Sequence, residues 1–185
     1  MAKPYDKTGA VVVTTATDHL DETTDALSSI TYEHHEIHEG DMYSVDDLLA
    51  CDNTTLLWLI TTPNTTKYAH MIFGVDCTGE MTVLVTEGAN RTTSSAALTP
   101  INRRRMSTNA ATVVVGRGAT GGTTNGATTI KNTRVGATGK FSTVGGSERS
   151  HEFILKANTK YVVSATTYAT VYVALRLDWY EHTDL

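Results

Sequence analysis

A run of histidines and glutamates at residues 33–39, Glu-His-His-Glu-Ile-His-Glu, contains the most obvious candidate metal ligands of this sequence. Imidazole and carboxylate groups are common protein ligands of first-row metal ions. The segment alternates as a strand does, which would place His34, Glu36 and His38 along one face about 7 Å apart. Three ligands in line on one strand converge poorly on an ion whose bonds are about 2.0–2.2 Å long. We therefore predict a polar ladder or a buried hydrogen-bond network, and keep these three residues as candidate ligands.

A cupin-like metal site would need a different order of ligands. Such a site uses His-x-His, then a glutamate, then a distant histidine on another strand, whereas this segment has the order His-x-Glu-x-His. His70 and His151 are the histidines that could join from elsewhere in the chain. A cupin-like metalloenzyme therefore stays an alternative hypothesis.

Two other motifs suggest chemistry and are rejected. Gly116 to Gly121 match the pattern G-x-G-x-x-G after an apolar run, but the residues that follow, Gly-Thr-Thr-Asn-Gly, disfavour the helix that must receive a pyrophosphate. The sequence contains no G-x-S-x-G motif, and neither Cys51 nor Cys77 adjoins a histidine that could activate it. We predict two buried free thiols, no cofactor and no enzymatic activity.

The composition indicates an all-β protein. Among 185 residues there are thirty-four threonines and 14 glycines, which favour pleated strands and turns, while two cysteines are too few for a disulfide scaffold. We predict a jelly-roll-like or other antiparallel β-sandwich of about nine strands, with at most one short helix, at 17–28. The predicted strands are 29–39, 54–61, 67–75, 81–87, 111–115, 128–135, 151–155, 160–167 and 169–179.

The remaining segments complete the predicted domain organisation. Residues 1–16 are expected to form an N-terminal arm with a first short strand, and 17–185 a single sandwich domain. Residues 88–109, 116–126 and 136–150 are expected to be loops, because they are rich in polar residues or in glycine and threonine. No apolar run approaches the roughly 18 residues that span a bilayer, and no signal core precedes the domain, so we expect a soluble protein.

Charge is segregated along the chain despite a net value of −5. Eleven acids and no lysine or arginine lie between Lys7 and Lys67, whereas nine basic residues and one acid lie from Arg91 to Arg149. Folding either interleaves the two regions or creates an acidic and a basic surface that fix the register between copies or onto a scaffold. Nucleic-acid binding is disfavoured, because the basic region has one aromatic residue, Phe141. The candidate interface residues are Arg103, Arg104, Arg105, Arg117, Asp18, Asp21 and Glu22.

Two parts of the sequence carry a resemblance to a known group. Residues 30–43, ITYEHHEIHEGDMY, resemble a motif of small virion proteins of tailed bacteriophages, in which a histidine-rich strand runs into a glycine turn. Residues 155–161, LKANTKY, and 177–182, LDWYEH, are similar to the closing strands of the same group. The resemblance implies an auxiliary head protein of the decoration or cement type, and carries over no catalytic residue.

This resemblance sets the expected partners. A decoration protein would bind the major capsid protein lattice and copies of itself, and lattice three-fold symmetry favours a trimer. It would be made in the cytoplasm of the bacterial host and would end on the capsid surface of the virion, with no membrane or nucleic-acid partner. The alternatives are a neck, tail or fibre-attachment component of the virion and, outside that class, the cupin-like enzyme or a carbohydrate-binding β-sandwich.

Overall fold

The architecture is an antiparallel β-sandwich, seen in a computed structural model that describes residues 16–20, 27–91, 93–124, 126–136, 142–144 and 151–183. In chain order its elements are β1 (Ala16–Leu20), β2 (Leu27–Thr31), α1 (Tyr32–Glu39), β3 (Met42–Asp52), β4 (Thr55–Thr61), β5 (Lys67–Cys77), β6 (Met81–Glu87), β7 (Thr93–Leu98), β8 (Ile101–Asn102), β9 (Val114–Thr120), β10 (Thr128–Val135), β11 (Ser142–Val144), β12 (Phe153–Ile154), β13 (Lys160–Thr167) and β14 (Thr170–Thr183). The predicted all-β sandwich with one short helix is therefore confirmed, although the described residues form more than nine strands.

Two sheets face each other, and β1 and β2 form a separate pair. The first sheet has the order β10-β6-β13-β4-β9-β7. The second sheet has the order β11-β5-β14-β3-β8, with β12 also paired to β5. The chain crosses from the first sheet to the second in the tight connection between β13 and β14, so these long neighbouring strands occupy the middle of opposite sheets.

The core lies between the sheets and follows from alternation along the strands. In β14, Val173, Leu175 and Leu177 point inward and are at most 1% exposed, as the alternation of this segment predicts. Burying each such side chain fully contributes roughly 1.5–3 kcal/mol. The largest buried side chains include Trp58 of β4 and Trp179 of β14, one from each sheet. The predicted buried free thiols, Cys51 and Cys77, are confirmed.

Strand predictions were most accurate where alternation is bounded by clear turns. The bounds of β6, β10 and β13 are those predicted, and β4 begins one residue later. By contrast β3, eleven residues long, was not predicted at all, although it alternates: its even-numbered residues from Asp46 to Asp52 are exposed and its odd-numbered neighbours are largely buried.

The histidine-rich segment is a helix, so the strand predicted at 29–39 is wrong beyond Thr31. Gly40 ends this helix in the left-handed region, with φ of 80°. The Asp41 N–H donates to the Glu36 carbonyl at 3.1 Å, and the Gly40 N–H donates to the Ile37 carbonyl at 3.1 Å. This double closure is the Schellman arrangement that a glycine after a helix permits. The segment therefore forms a helix with a hydrogen-bonded C-terminal cap, although its alternating pattern predicted a strand.

The helix predicted at 17–28 is also wrong. Residues 16–20 and 27–31 pair as antiparallel strands, in the register Ala16 to Thr31 and Leu20 to Leu27. Cross-strand hydrogen bonds pair the backbone groups that the predicted helix would have paired within itself. The acids at 21–26 and the predicted arm up to residue 15 lie outside the described residues.

The first five residues of the loop predicted at 116–126 belong to strand β9, and β7 lies within the predicted loop at 88–109. The two strands approach closely because their side chains are small. A Cβ added at Gly116 would lie 2.0 Å from Ser94 Oγ, and one at Gly118 would lie 2.2 Å from Ser95 Oγ. Glycine and serine weaken a strand prediction, but here their small side chains allow the two backbones to pair closely.

Candidate interaction surface

An exposed basic turn follows β8 at the edge of the second sheet. It comprises Arg103, Arg104, Arg105 and Met106, and we call it the basic turn. All four residues are exposed, and Met106 is 92% exposed. Three adjacent candidate interface residues are thus brought together on one projecting feature.

The basic turn is held from beneath by Asn102, which is 9% exposed. The Asn102 side-chain amide donates to the Gly40 carbonyl at 2.7 Å and to the Asn109 carbonyl at 3.1 Å. Its carbonyl oxygen accepts the Arg104 N–H at 2.9 Å. The Ser107 N–H then donates to the Arg104 carbonyl at 2.8 Å, which closes the turn. A single buried amide therefore ties the turn to the end of α1 and to its own return path.

Each arginine of the basic turn also has a contact of its own. The Arg103 guanidinium lies 3.5 Å from Asp178 Oδ1 of β14, and Arg104 donates to the carbonyl of His38. Arg105 Nη1 donates to the Asn102 carbonyl at 3.4 Å. The guanidinium groups are thus partly positioned before any partner arrives, which lowers the conformational entropy lost on binding.

The three candidate metal ligands do not converge. His34 Nε2 and His38 Nε2 lie 2.9 Å apart with stacked rings on the exposed side of α1. Glu36 is 3% exposed and points elsewhere, and its Oε1 lies 3.4 Å from His35 Nδ1. In a helix, residues four apart share a face and residues two apart do not, whereas all three would share one face on the predicted strand. Within the described ranges, no cluster of three or more His, Cys, Asp or Glu residues could hold a metal ion.

Arg117 occupies a different place from the basic turn. It extends from β9 of the first sheet to Asp47 of β3 in the second, where Nε donates to Oδ2 at 2.9 Å and Nη2 binds Oδ1. Trp58 Nε1 donates to the same Oδ2 at 2.7 Å. The bond to Asp47 raises the pKa of the Arg117 guanidinium. Here folding joins the acidic and basic regions of the sequence inside the molecule.

The remaining candidate interface residues lie in the N-terminal part of the chain. Asp18 lies on β1 opposite Ser29. Asp21 and Glu22 fall outside the described residues. The contribution of these three acids to an interface stays a prediction.

A second buried carboxylate, Glu181 of β14, was not singled out from the sequence. Its oxygens accept the backbone N–H groups of Thr112 at 2.9 Å and Val113 at 3.1 Å, the Thr112 hydroxyl at 2.5 Å and Trp179 Nε1 at 3.1 Å. Burial, and then the charges of Glu181 and Asp41, raise the pKa of the nearby Tyr43 to about 12. These donors hold Glu181 as a link between the sheets.

A second group of polar side chains, which the sequence analysis did not predict, joins His70 to the segment that precedes β13. His70 Nδ1 lies 2.9 Å from Glu152 Oε1, and the Tyr180 hydroxyl donates to the same oxygen at 3.1 Å. His70 was considered as a distant ligand for the histidine-rich segment; its ring instead stacks on Tyr180 with centroids 4.5 Å apart. The cluster fastens the β12 segment onto β5 and β14 through polar contacts.

An exposed apolar stripe, also missed, lies on the outer face of the second sheet. Leu48 is 66% and Tyr172 is 59% exposed, and Ala50 lies directly opposite Tyr172. Asp46 and Asp52 lie on the same face of β3, one at each end of this group. We call these five residues the acid-rimmed stripe. The alternation of residues 45–52 was the signal that could have revealed it.

Comparisons with known proteins add no assignment. No protein-family model matches the chain, no curated protein matches it, and no solved structure matches its fold. Among the helical residues that the structure describes, none belongs to a helix long and apolar enough to cross a membrane.

Proposed function

We propose that the protein is a structural component of a tailed-bacteriophage virion, a head decoration or cement protein that binds the major capsid protein lattice as a trimer. It acts by binding other proteins on the capsid surface, without catalysis. The observation that carries the proposal is the basic turn, whose exposed arginines and Met106 are held in place by the buried Asn102. Arginine and methionine are enriched in protein interfaces, and a pre-organised surface binds at lower entropic cost.

The distribution of polar groups supports a binding role. The buried carboxylates Asp47 and Glu181 are fully engaged in joining the sheets, by Arg117 and Trp58 in one case and by backbone N–H groups in the other. The sandwich is therefore a rigid platform, and its basic turn and acid-rimmed stripe lie outside. The resemblance of residues 30–43, 155–161 and 177–182 to tailed-phage virion proteins supports the same function, although residues 32–39 form a helix where that group has a strand.

Deletion of the gene from the phage that encodes it tests the proposal directly. We expect particles that keep their tails and lose surface density on the head in electron microscopy. Particles without tails would instead favour the neck or tail alternative, and unaltered particles would overturn a virion role.

Adding the purified chain back to the deletion particles supplies the control. We expect the lost density to return at regular lattice positions, with three chains at each position. Failure of the folded chain to bind these heads would contradict a decoration function.

A further inference from the structure

We propose that the basic turn of one copy binds the acid-rimmed stripe of a second copy of this chain. This contact is the one through which the copies of the proposed trimer associate, so the inference rests on the proposed function. The two surfaces are opposite in charge, and both expose apolar groups that a partner would bury.

The acid-rimmed stripe has the composition of an interface centre. Leu48 and Tyr172 are more than half exposed although both belong to the central strands of the second sheet, where they adjoin Ala50 and Ala174 in the β3–β14 register. Exposed large apolar side chains grouped together on a sheet face mark an interaction site, whereas scattered ones do not. Asp46 and Asp52 add a negative charge at each end, and Arg176, which faces Asp46 across the two strands, is itself paired with Asp76 at 2.8 Å.

The basic turn supplies the matching groups. Met106 is 92% exposed and adjoins Arg105, so an apolar side chain and a guanidinium project together. A guanidinium can bind a carboxylate through two hydrogen bonds and can stack on a tyrosine ring. Met106 over Leu48 and an arginine beside Tyr172 would leave the two aspartates free to accept further guanidinium bonds.

Covering the whole stripe requires the turn of a different copy. The basic turn begins beside the start of β3, where Tyr43 pairs with Asn102. Asp46 is three residues further along β3, or about 10 Å, but Asp52 at the other end is nine residues along, or about 30 Å at roughly 3.4 Å per residue. The turn of one chain therefore cannot cover the far part of its own stripe. A contact between unlike surfaces closes into a ring when the rotation between copies permits, and a three-membered ring gives the proposed trimer.

A protein partner fits the basic turn better than a nucleic acid does. The chain carries a net charge of −5, which repels polyanions, and aspartates lie on the same sheet face as the turn's contact residue Asp178. Met106 also has no counterpart on a phosphate backbone. A short DNA duplex that bound the turn of a wild-type chain showing no self-association would overturn the inference.

Sedimentation equilibrium of the purified full-length chain tests the contact. We expect the wild type at three times the mass of the 20.0 kDa chain. The turn variant Arg105→Glu/Met106→Glu and the stripe variant Asp46→Arg/Asp52→Arg should each weaken association about a hundredfold or more. Arg103 and Arg104 are left in place because their contacts shape the turn. Lys156→Glu, a charge reversal on the first-sheet side, should leave the mass unchanged, and circular dichroism checks that each variant is folded.

Mixing the variants provides a test that misfolding cannot imitate. Neither variant should associate alone, because the turn variant has lost the net positive charge of its turn and the stripe variant carries a positive turn and a positive stripe. An equimolar mixture should associate into pairs, since the unaltered turn of the stripe variant meets the unaltered stripe of the turn variant. A monomeric wild type, or an oligomer that persists in the turn or stripe variant, would overturn the inference.

These outcomes are separable from those of the proposed function. Sedimentation uses no capsid, so a monomeric chain that still restores head density would reject the contact and retain the decoration function. A wild-type oligomer that is lost in both variants but never binds heads would do the reverse.

Discussion

Asp47 and Glu181 both link the two sheets, but different partners stabilise their negative charges. Each is a buried carboxylate on the second sheet, each accepts an indole N–H from a buried tryptophan, and each is bound by the chain segment that contains or precedes β9. Asp47 has a counter-charge in Arg117. Glu181 has backbone N–H groups and the Thr112 hydroxyl instead.

The two sets of partners differ in how strongly they leave each carboxylate charge able to act on neighbouring groups. A guanidinium neutralises a carboxylate locally, whereas amide dipoles stabilise it by hydrogen bonding without cancelling its net charge. Glu181 accordingly contributes to the raised pKa of Tyr43, after the larger effect of burial. The two links should therefore differ in how much the free energy of unfolding depends on each partner. They should also differ in how each responds to pH.

Removal of the Glu181 carboxylate should have the largest effect. Glu181→Ala leaves the N–H groups of Thr112 and Val113 and the Trp179 indole without their acceptor, and we expect a loss of about 3–5 kcal/mol in the free energy of unfolding. Glu181→Gln keeps one acceptor oxygen and should lose about half as much. Denaturant unfolding measures both, and equal stability of the alanine variant and the wild type would contradict the role of Glu181.

Removal of the Asp47 counter-charge should have the next largest effect. Arg117→Met leaves a buried carboxylate with the Trp58 indole, and we expect a loss of about 2 kcal/mol, less than for a fully buried pair because Arg117 is partly in water. Arg134→Met is the matched control, since Arg134 pairs with Glu80 on the surface and its loss should change stability much less. Equal losses in the two variants would show that burial of Asp47 adds nothing.

A second substitution at Asp47 should reverse part of that loss. In the Arg117→Met background, Asp47→Asn removes the uncompensated charge and can keep an acceptor for Trp58, so stability should rise by about 1 kcal/mol. In the wild-type background the same substitution should lower stability by about the same amount. A double-mutant cycle measures this coupling, and simple additivity would contradict the charge pairing.

The smallest effect should be a shift in the titration of Tyr43. Its pKa is raised from 10.0 to about 12 in the folded protein. Because the pKa of Tyr43 is higher in the folded than in the unfolded protein, its contribution to the free energy of unfolding is complete below about pH 10. That contribution is lost as the pH rises towards 12. Glu181→Gln should lower the pKa of Tyr43 by less than about one unit, whereas Asp47→Asn should not change it. Tyrosinate absorbance, referenced to Tyr43→Phe, detects the difference.

The sandwich and the buried face of β14 could be predicted from the sequence, but local patterns gave the wrong element where tertiary contacts dominate. The bounds of β6, β10 and β13 followed from runs of strand-forming residues between turn residues. The helix at Tyr32–Glu39 depends on its closure at Gly40 and was read as a strand. β7 and β9 contain serine and glycine because their backbones lie close together, and such residues resemble loop sequence.

The candidate surface was only partly predictable for a related reason. Three adjacent arginines identified the basic turn, because a charge run in a polar segment is visible without a structure. Arg117 lies in the same basic region, yet its partner Asp47 is seventy residues earlier in the chain and only folding brings them together. The acid-rimmed stripe joins residues of β3 and β14 in the same way.

Gly40 has a consequence for the basic turn that reaches across more than sixty residues of sequence. Its carbonyl accepts Asn102, and a Cβ at this position would lie 2.5 Å from Ser107 Oγ and 3.6 Å from Arg104 Cδ. A Cβ at Gly40 would thus displace Ser107, whose N–H closes the basic turn by donating to the Arg104 carbonyl. The shape of the basic turn therefore depends on the absence of a side chain at a residue that carries no charge.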